Sequence, residues 1–294
     1  MKESFQKKFS TDFNQSLLAT LCRYYPPKEF NNALLDIIDV LMDGLSRGDV
    51  YINIREPPVN IKLKYKGWPN VHMEALLASG WTNGINSPIF LSGDLISWRR
   101  SHNEMVTTIQ KILARNKSYI SLPKGFEAPI NPKDLELLNS QQIKAINLVE
   151  TETIILLSGG PGTGKTSTIL QMLFRAIRNN TSLKIAMAAP TGKAAKKLKD
   201  TIQSGVQKFE DPFKEKLSNI PCKTLHKLLD AGPNGFRRNS KRPLKLDLIV
   251  IDEMSMVDLT LFNGLLDSLP KSCQIILVGD PDQLLPVGSG GIWQ

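Results

Sequence analysis

A lysine and a threonine at positions 165 and 166 close a glycine-rich stretch that could bind phosphate. Positions 159–166 read Gly-Gly-Pro-Gly-Thr-Gly-Lys-Thr, which fits the spacing G-x-x-x-x-G-K-[ST]. In such a loop, backbone N–H groups surround the phosphates, the lysine contacts the β- and γ-phosphates, and the threonine hydroxyl binds Mg²⁺. A glycine turn formed by chance is the alternative. The predicted nucleotide-binding residues are Gly159, Gly160, Pro161, Gly162, Thr163, Gly164, Lys165, Thr166 and Ser167.

Two adjacent acids end a largely apolar stretch later in the chain. Residues 246–251 are apolar apart from one aspartate, and Asp252 and Glu253 follow them. In nucleotide hydrolysis one carboxylate can hold Mg²⁺ through water, and a second can orient or deprotonate the attacking water. We expect Asp252 to take the first role and Glu253 the second. With Lys165 they form the core of a predicted catalytic group.

A glutamine in a third loop could complete this group. Gln283 follows the apolar run at 274–278, in a loop that reads Gly-Asp-Pro-Asp-Gln. An amide there can both donate to a γ-phosphate oxygen and accept from a water. A surface turn rich in proline and glycine is the alternative for this loop.

The elements that must position these residues are strands and helices in alternation. Apolar, β-branched runs at 153–157, 183–189, 246–251 and 274–278 predict buried strands. Helical spacing at 141–149, 167–178 and 261–269 predicts helices between them, with Ser140 and Thr191 as possible N-caps. This alternation predicts an α/β fold, a P-loop parallel sheet whose ligand lies at the carboxyl ends of the strands.

The first part of the chain lacks the strand and helix alternation and is predicted to be mostly helical. Apolar spacing predicts helices between about 14 and 47, and residues 89–98 read as a hairpin. Breakers are frequent from Leu122 to Pro132. We therefore predict a smaller, mostly helical domain at 1–122 and an ATPase domain at 123–294.

Composition indicates which kind of partner the protein binds and where in the cell it is located. The 294 residues carry a net charge of +9, and residues 153–199 contain eight Lys or Arg but no Asp or Glu, which points to a polyanionic partner, with a solvated basic surface as the alternative. The three cysteines are far apart and read as reduced cytoplasmic thiols. The N-terminus has no signal-peptide core, and no apolar run approaches the roughly 20 residues of a membrane helix. We expect a cytoplasmic protein that does not contact a membrane.

Five motifs together resemble superfamily 1 DNA helicases, and within them the RecD family, the alpha subunits of exodeoxyribonuclease V (RecBCD). Besides the phosphate loop they are Ala-Pro-Thr-Gly-Lys-Ala-Ala, Thr-Leu-His-Lys-Leu-Leu, Ile-Asp-Glu-Met-Ser-Met and Gly-Asp-Pro-Asp-Gln-Leu-Leu-Pro-Val-Gly, all between residues 142 and 290. The N-terminal part resembles the same family more weakly. The resemblance implies ATP-driven 5′→3′ movement on single- and double-stranded DNA ends, in repair and recombination, with RecB- and RecC-like subunits as partners.

The resemblance also implies roles for further residues. Gln142 resembles the glutamine that reads adenine ahead of the phosphate loop. Gln283 would sense the γ-phosphate and couple it to DNA. The residues that resemble contacts to the single-strand backbone are Thr191, Gly192, Lys193, Thr224 and His226.

The sequence departs from the family pattern by ending at Gln294, before a second RecA-like domain with its arginine finger. We therefore expect the chain alone to bind ATP but to hydrolyse it poorly and not to unwind DNA. Two functional alternatives are an ATP-binding subunit that is not a motor, and a RecD-like helicase that works without RecB and RecC. A GTPase would need an Asn/Thr-Lys-x-Asp motif, which is absent, and a small-molecule kinase would not need the DNA motifs.

Overall fold

A computed structural model describes residues 2–56, 65–116, 138–207, 213–283 and 290–293 of the chain. Its contacts divide these residues into two compact units. The first lies within Met1–Val106 and includes Gly290 and Gly291, and the second lies within Thr107–Leu284 and includes Ile292 and Trp293. We call them the N-terminal unit and the C-terminal unit. The predicted boundary between residues 122 and 123 lies outside the described residues.

The N-terminal unit combines helices with a small antiparallel sheet. Its helices are α1 (Lys2–Tyr24), α2 (Ala33–Ser46), α3 (Asn70–Ser79) and the first part of α4 (Arg99–Asn116). Its strands are β1 (Ile52–Asn53), β2 (Ile89–Ser92) and β3 (Leu95–Trp98), in the order β1-β3-β2. Strands β2 and β3 form the predicted hairpin, with Ile89 opposite Trp98.

The core of this unit forms where α2 packs against the small sheet and α3. The buried side chains of α2 recur with helical spacing, as an amphipathic helix on a core requires. They pack with Ile89 and Ile96 of the sheet and with Leu76 of α3. One buried polar group lies beside this core, because His72 is enclosed and its Nε2 is 3.0 Å from Asp36 Oδ2.

The C-terminal unit is built on a five-stranded parallel sheet. Its strands are β4 (Ile154–Ser158), β5 (Ile185–Ala189), β6 (Cys222–Thr224), β9 (Leu248–Ile251) and β10 (Gln274–Gly279). A separate two-stranded hairpin consists of β7 (Ala231–Gly232) and β8 (Gly235–Phe236). The large sheet has the order β4-β10-β9-β5-β6, so the chain crosses over between neighbouring strands. The predicted parallel α/β fold is confirmed.

Helices follow or precede these strands as the alternation predicts. They are the end of α4, then α5 (Ser140–Leu148), α6 (Lys165–Asn179), α7 (Gly192–Val206), α8 (Phe213–Ser218), α9 (Leu225–Leu228) and α10 (Leu259–Ser268). The predicted cap Thr191 is confirmed, since its hydroxyl accepts from Ala194 N. The predicted cap Ser140 is wrong, because Asn139 takes that position in a reciprocal bond with Gln142. No described helix is long and apolar enough to cross a membrane.

Two apolar clusters cover the two faces of the large sheet. One includes Ile155, Leu173 of α6 and Leu198 of α7, and the other includes Ile251 and Phe262 of α10. The prediction that the whole of β4 is buried is wrong at Leu156, which is 65% exposed. Leu156 lies on the opposite face of β4 from Ile155, which is 2% exposed, so the two faces of this terminal strand are covered unequally. The central strands β9 and β10 are buried almost throughout and fix the loops that follow them.

Candidate nucleotide-binding site

The glycine-rich loop connects strand β4 to helix α6. The strand ends at Ser158, and the helix begins at Lys165, so the loop occupies the carboxyl edge of the sheet. Gly162 and Gly164 have φ angles of 76° and 81°, in the left-handed region that favours glycine. A Cβ at Gly164 would also lie 2.6 Å from Gln142 Nε2. Both glycines are therefore required by the course of the loop toward the N-terminus of α6.

The side chains of this loop bond to its own carbonyl groups. Lys165 Nζ donates to the carbonyl oxygens of Gly159 and Gly160, the latter at 2.8 Å. Thr163 Oγ1 donates to Gly160 O at 2.9 Å. The ammonium group therefore lies over the loop, close to the helix N-terminus, where the helix dipole also favours an anion. Backbone donors and a lysine at this position form a receptor for the phosphates of a nucleotide.

Gln142 uses the two ends of its amide to join the start of α5 to the same loop. Its Oε1 accepts from Asn139 N at 2.9 Å, and Asn139 Oδ1 accepts from Gln142 N at 2.9 Å, which completes a capping box. Its Nε2 donates to Thr163 O at 3.1 Å. The predicted contact of Gln142 with adenine stays a prediction. In this conformation the glutamine ties the start of α5 to the phosphate loop.

Asp252 and Glu253 lie directly after strand β9. Burial raises the pKa of the Asp252 carboxyl above its ordinary value, and the adjacent Glu253 charge adds to this, while the Glu253 N–H and the charges of Lys165 and Lys197 oppose it. That N–H donates to Asp252 Oδ1 at 2.9 Å. A positive ion beside Asp252 would offset the cost of burying its charge.

The backbone turns sharply at Glu253, in a conformation uncommon outside glycine. Its φ is 56°, and the 3₁₀ turn Met254–Met256 follows. Such strain often marks functional positions, where the surrounding structure fixes an unusual backbone. Here the unusual backbone conformation at Glu253 ends the course of β9 directly after Asp252.

Asp280 was missed by sequence reasoning although it holds a predicted residue in place. It follows β10 and is 1% exposed. Its Oδ2 accepts from Gln283 Nε2 at 3.3 Å, and its Oδ1 accepts from Asp282 N at 3.0 Å. An acid placed directly after a buried strand was the signal that could have identified it. The predicted γ-phosphate contact of Gln283 stays a prediction.

Strand register brings these three loops together at one edge. Strands β4, β10 and β9 are neighbours, with Ser158 opposite Gly279 and Leu277 opposite Ile251. Gly159 N also donates to Gly279 O at 3.3 Å. The phosphate loop, the Asp280 turn and the Asp252–Glu253 turn therefore leave adjacent strands in the same direction, as at the ligand edge of a parallel sheet.

The donor set at this edge fits Mg²⁺. The Thr166 hydroxyl lies in the first turn of α6, and the Asp252 carboxylate follows a strand at the same edge of the sheet. Magnesium prefers oxygen ligands and keeps several waters, so one hydroxyl and one carboxylate beside phosphates suffice. The described residues contain no group of three or more His, Cys, Asp or Glu side chains that could hold a metal without a nucleotide.

The predicted DNA contacts follow the next two strands of the sheet. Ala189 at the end of β5 lies opposite Thr224 at the end of β6. Thr191 caps α7, and the Thr224 hydroxyl caps α9 by accepting from Lys227 N at 3.3 Å. The remaining predicted contacts are exposed: Gly192, Lys193 and His226. The structure therefore gathers all five at one edge, and their contact with DNA stays a prediction.

The chain is similar in sequence to one protein family and to several known proteins. Residues 142–289, about half of the chain, match the family described as AAA domain. The chain is 32% identical over 258 residues to the RecBCD enzyme subunit RecD of Mycolicibacterium smegmatis, covering 85% of this chain and 46% of that protein. It is 34% identical over 153 residues to the ATP-dependent RecD2 DNA helicase of Deinococcus radiodurans, covering 52% of this chain and 19% of that protein.

A solved structure of Bacteroides Pif1 bound to single-stranded DNA is 24% identical, with a TM-score of 0.32, and covers 51% of this chain and 33% of that one. The chain spans less than half the length of both curated relatives.

Proposed function

The chain belongs to the AAA domain family, and from that premise we propose that it is the ATP-binding part of a DNA helicase of the RecD kind. The observation that carries the proposal is the convergence of three loops on one edge of the parallel sheet. One loop supplies Lys165, the second supplies Asp252 and Glu253, and the third supplies Gln283. These are the parts that hydrolysis of a nucleoside triphosphate requires.

Each side chain has a role that its position supports. Phosphate oxygens would replace the loop carbonyls as acceptors for Lys165 Nζ, and the N-terminus of α6 would favour their charge. Thr166 and Asp252 would hold Mg²⁺, which would neutralise charge on the phosphates when bound. Glu253 would orient or deprotonate the attacking water. Gln283, held by Asp280, would contact the γ-phosphate.

Contact with single-stranded DNA is proposed for the ends of β5 and β6. Backbone N–H groups at a helix start and nearby cations are typical contacts for phosphates. Lys193 and His226 are both exposed there, and α7 continues with Lys196, Lys197 and Lys199. Movement along the strand would follow from changes at the nucleotide site on the same sheet edge.

The partners, the direction of movement and the cellular location of the chain are also part of the proposal. The relatives named as subunits of the RecBCD enzyme suggest RecB- and RecC-like partners for this chain, with double-stranded DNA ends as the substrate. The resemblance in the motifs suggests 5′→3′ movement. A location in the cytoplasm follows from a DNA substrate.

The test is equilibrium binding of a fluorescent ATP analogue and of labelled oligo-dT to the purified chain. Lys165→Ala should weaken binding of the nucleotide by about tenfold or more, since it removes a charged hydrogen bond to phosphate. Glu253→Gln should keep nucleotide binding and abolish any hydrolysis. Lys193→Ala should weaken oligo-dT binding without changing nucleotide affinity.

A matched control is Lys271→Ala, an exposed lysine that precedes β10 at the opposite end of the sheet. It should change neither affinity. Equal nucleotide binding by the Lys165→Ala variant and the unaltered chain would overturn the proposed site. If nucleotide binds but oligo-dT does not stimulate hydrolysis even with partner subunits, an ATP-binding subunit that is not a motor becomes the better description.

A further inference from the structure

A groove of about 390 Å³ lies on the C-terminal unit, and its lining includes no residue of the phosphate loop, the Asp252–Glu253 turn or the Asp280 turn. Apolar side chains line it, and four of them carry the argument: Met187, Leu228, Leu244 and Leu246. Met187 and Leu244 are buried, while Leu228 and Leu246 are half-buried. The groove therefore offers an apolar surface that remains partly open to water. Its volume is in the range of pockets that hold a small ligand or a few side chains.

Strand direction places one side of this groove toward the end of the sheet opposite the nucleotide site, while Lys223 and Leu228 lie near the carboxyl end of the edge strand β6. Pro221 directly precedes β6, and Leu244 and Leu246 precede β9. Ala186 and Met187 belong to the first three residues of β5. In contrast, the phosphate loop and the Asp252–Glu253 turn both follow the carboxyl ends of their strands. A ligand in the groove would therefore not occupy the nucleotide site.

Three cations surround the apolar residues. Lys223, Arg238 and Lys245 line the groove, and none of its described lining residues is acidic. Within the described part of the chain, none of the three has a carboxylate within 4.0 Å. The nearest acids in sequence are engaged, since Asp247 accepts from Lys184 N at 2.8 Å and Asp230 pairs with Arg237 at 4.0 Å.

We propose that this groove docks an acidic peptide segment of a partner protein, one that carries apolar side chains between its carboxylates. The apolar lining would receive the apolar side chains, and the uncompensated charges of Lys223, Arg238 and Lys245 would attract the carboxylates. Single-stranded nucleic acid is the weaker match, because its bases stack on aromatic rings and the described lining contains none. This surface is separate from the proposed nucleotide site, although Lys223 directly precedes Thr224, a proposed DNA contact.

The experiment measures fluorescence anisotropy of a short labelled peptide of alternating aspartate and leucine. The probe should bind the unaltered chain, and the double variant Lys223→Glu/Lys245→Glu should lose about tenfold or more in affinity. Both lysines are exposed, so the variant should retain its circular dichroism spectrum. Lys271→Glu, an exposed charge reversal outside the groove, is the matched control and should leave the affinity unchanged.

Two further binding measurements distinguish docking of an acidic, apolar peptide from purely electrostatic binding and from binding of nucleic acid. A peptide with serine in place of leucine should bind at least about tenfold more weakly if the apolar lining contributes. Equal binding of the two peptides would overturn the proposal, as would equal losses in the Lys271→Glu control. Displacement of the peptide by oligo-dT, with oligo-dT binding lost in the double variant, would make the groove a nucleic-acid surface instead. Lys165→Ala should bind the peptide normally, so failure of the nucleotide site would be seen separately.

Discussion

Asp280 is a buried acid that positions the side chain of Gln283. Its carboxylate accepts from Gln283 Nε2 and from Asp282 N and is almost fully enclosed. A buried carboxylate that lost these donors would be left with an unpaired charge. The side chain that we propose to contact the γ-phosphate therefore depends on a residue that does not itself need to touch the nucleotide.

The variant Asp280→Asn tests this dependence. It replaces one carboxylate oxygen with an NH₂ group, so an amide donor would face the Gln283 donor or the Asp282 N–H. We expect a loss of about 1–3 kcal/mol in the free energy of unfolding, measured by urea denaturation. Asp282→Asn changes an exposed neighbour and should stay within about 0.5 kcal/mol. Equal effects of the two substitutions would show that the buried hydrogen bonds contribute nothing.

The cysteine thiols give a second test at the scale of single residues. Burial raises the pKa of Cys273 from 9.0 to about 12 and that of Cys222 to about 11. Only the thiolate reacts, so ionisation alone should slow the labelling of Cys273 near pH 8 by about a thousandfold relative to a thiol of pKa 9. Cys22 and Cys222 are both half-buried, but the pKa of Cys222 is raised to about 11, so Ellman's reagent should modify Cys22 before Cys222 and Cys273. Rapid reaction of Cys273 in the folded protein would contradict its buried position.

An ion pair joins Arg175 of α6 to Glu150, which lies two residues beyond the end of α5 and before β4. Arg175 Nε lies 2.6 Å from Glu150 Oε1, and Asn179 Nδ2 donates to the same oxygen at 3.1 Å. The hydrogen bond from Arg175 is the main reason that the pKa of Glu150 is lowered. The pair connects the residue that follows α5, the helix containing Gln142, to the helix that begins at Lys165.

The pH dependence of Glu150→Gln follows from that lowered pKa. A carboxyl whose folded pKa is depressed stabilises the fold above its unfolded pKa, and this contribution is lost as the pH falls through the folded value. We expect the variant to be about 0.5–1 kcal/mol less stable at pH 7, because the pair is partly screened by solvent. The difference should shrink as the pH falls below about 4. Urea denaturation at several pH values measures it, and Glu152→Gln, an exposed neighbour, should show no such trend.

Arg115, near the end of α4, forms hydrogen bonds with the end of α10. It is 3% exposed and donates to the carbonyl oxygens of Leu266, Leu269 and Pro270 at 2.6–2.9 Å. The last carbonyls of a helix have no partner within the helix and carry its negative dipole end, so a buried cation suits them. Lys111, one turn earlier, also bonds to Asn263 Oδ1 at 2.7 Å.

Replacing Arg115 by methionine keeps much of its volume and removes its donors. We expect a loss of about 2–4 kcal/mol in the free energy of unfolding, because buried carbonyl groups would be left unpaired. Arg100→Met is the comparison within the same helix, since its exposed ion pair with Glu104 contributes little. A similar cost for both substitutions would mean that α10 does not depend on this contact.

These elements also show what sequence can and cannot predict. The order of strands and helices was readable because β-branched runs and helical spacing repeat, and Thr191 could be identified as a cap from its place before α7. The cap of α5 could not be identified in this way, because Ser140 and Asn139 are adjacent and only the bond with Gln142 distinguishes them. The exposure of Leu156 was missed because the covering of each face of a strand depends on elements distant in sequence, which local pattern does not contain. Asp280 was missed for a related reason, since its partners are set by the course of a loop.

At the scale of the molecule, the apolar cores of the two units do not share residues. The N-terminal core includes Leu34, Leu76 and Ile96, whereas both clusters on the large sheet draw their buried residues from positions 146–278. Every predicted nucleotide contact also lies in the C-terminal unit. A unit with its own core can in principle fold alone.

We therefore expect a fragment that begins at Arg99 and runs to the end of the chain to fold and to bind the fluorescent ATP analogue. Beginning at Arg99 keeps α4 whole, and with it the bonds of Lys111 and Arg115 to α10. Its nucleotide affinity should match that of the full chain within about threefold, because the three loops of the site remain on the same sheet. Lys165→Ala in the fragment is the control and should weaken binding as it does in the full chain. A fragment that folds, as judged by a cooperative thermal transition, but does not bind nucleotide would show that the N-terminal unit contributes to the site, and the division into two units would then not be a division of function.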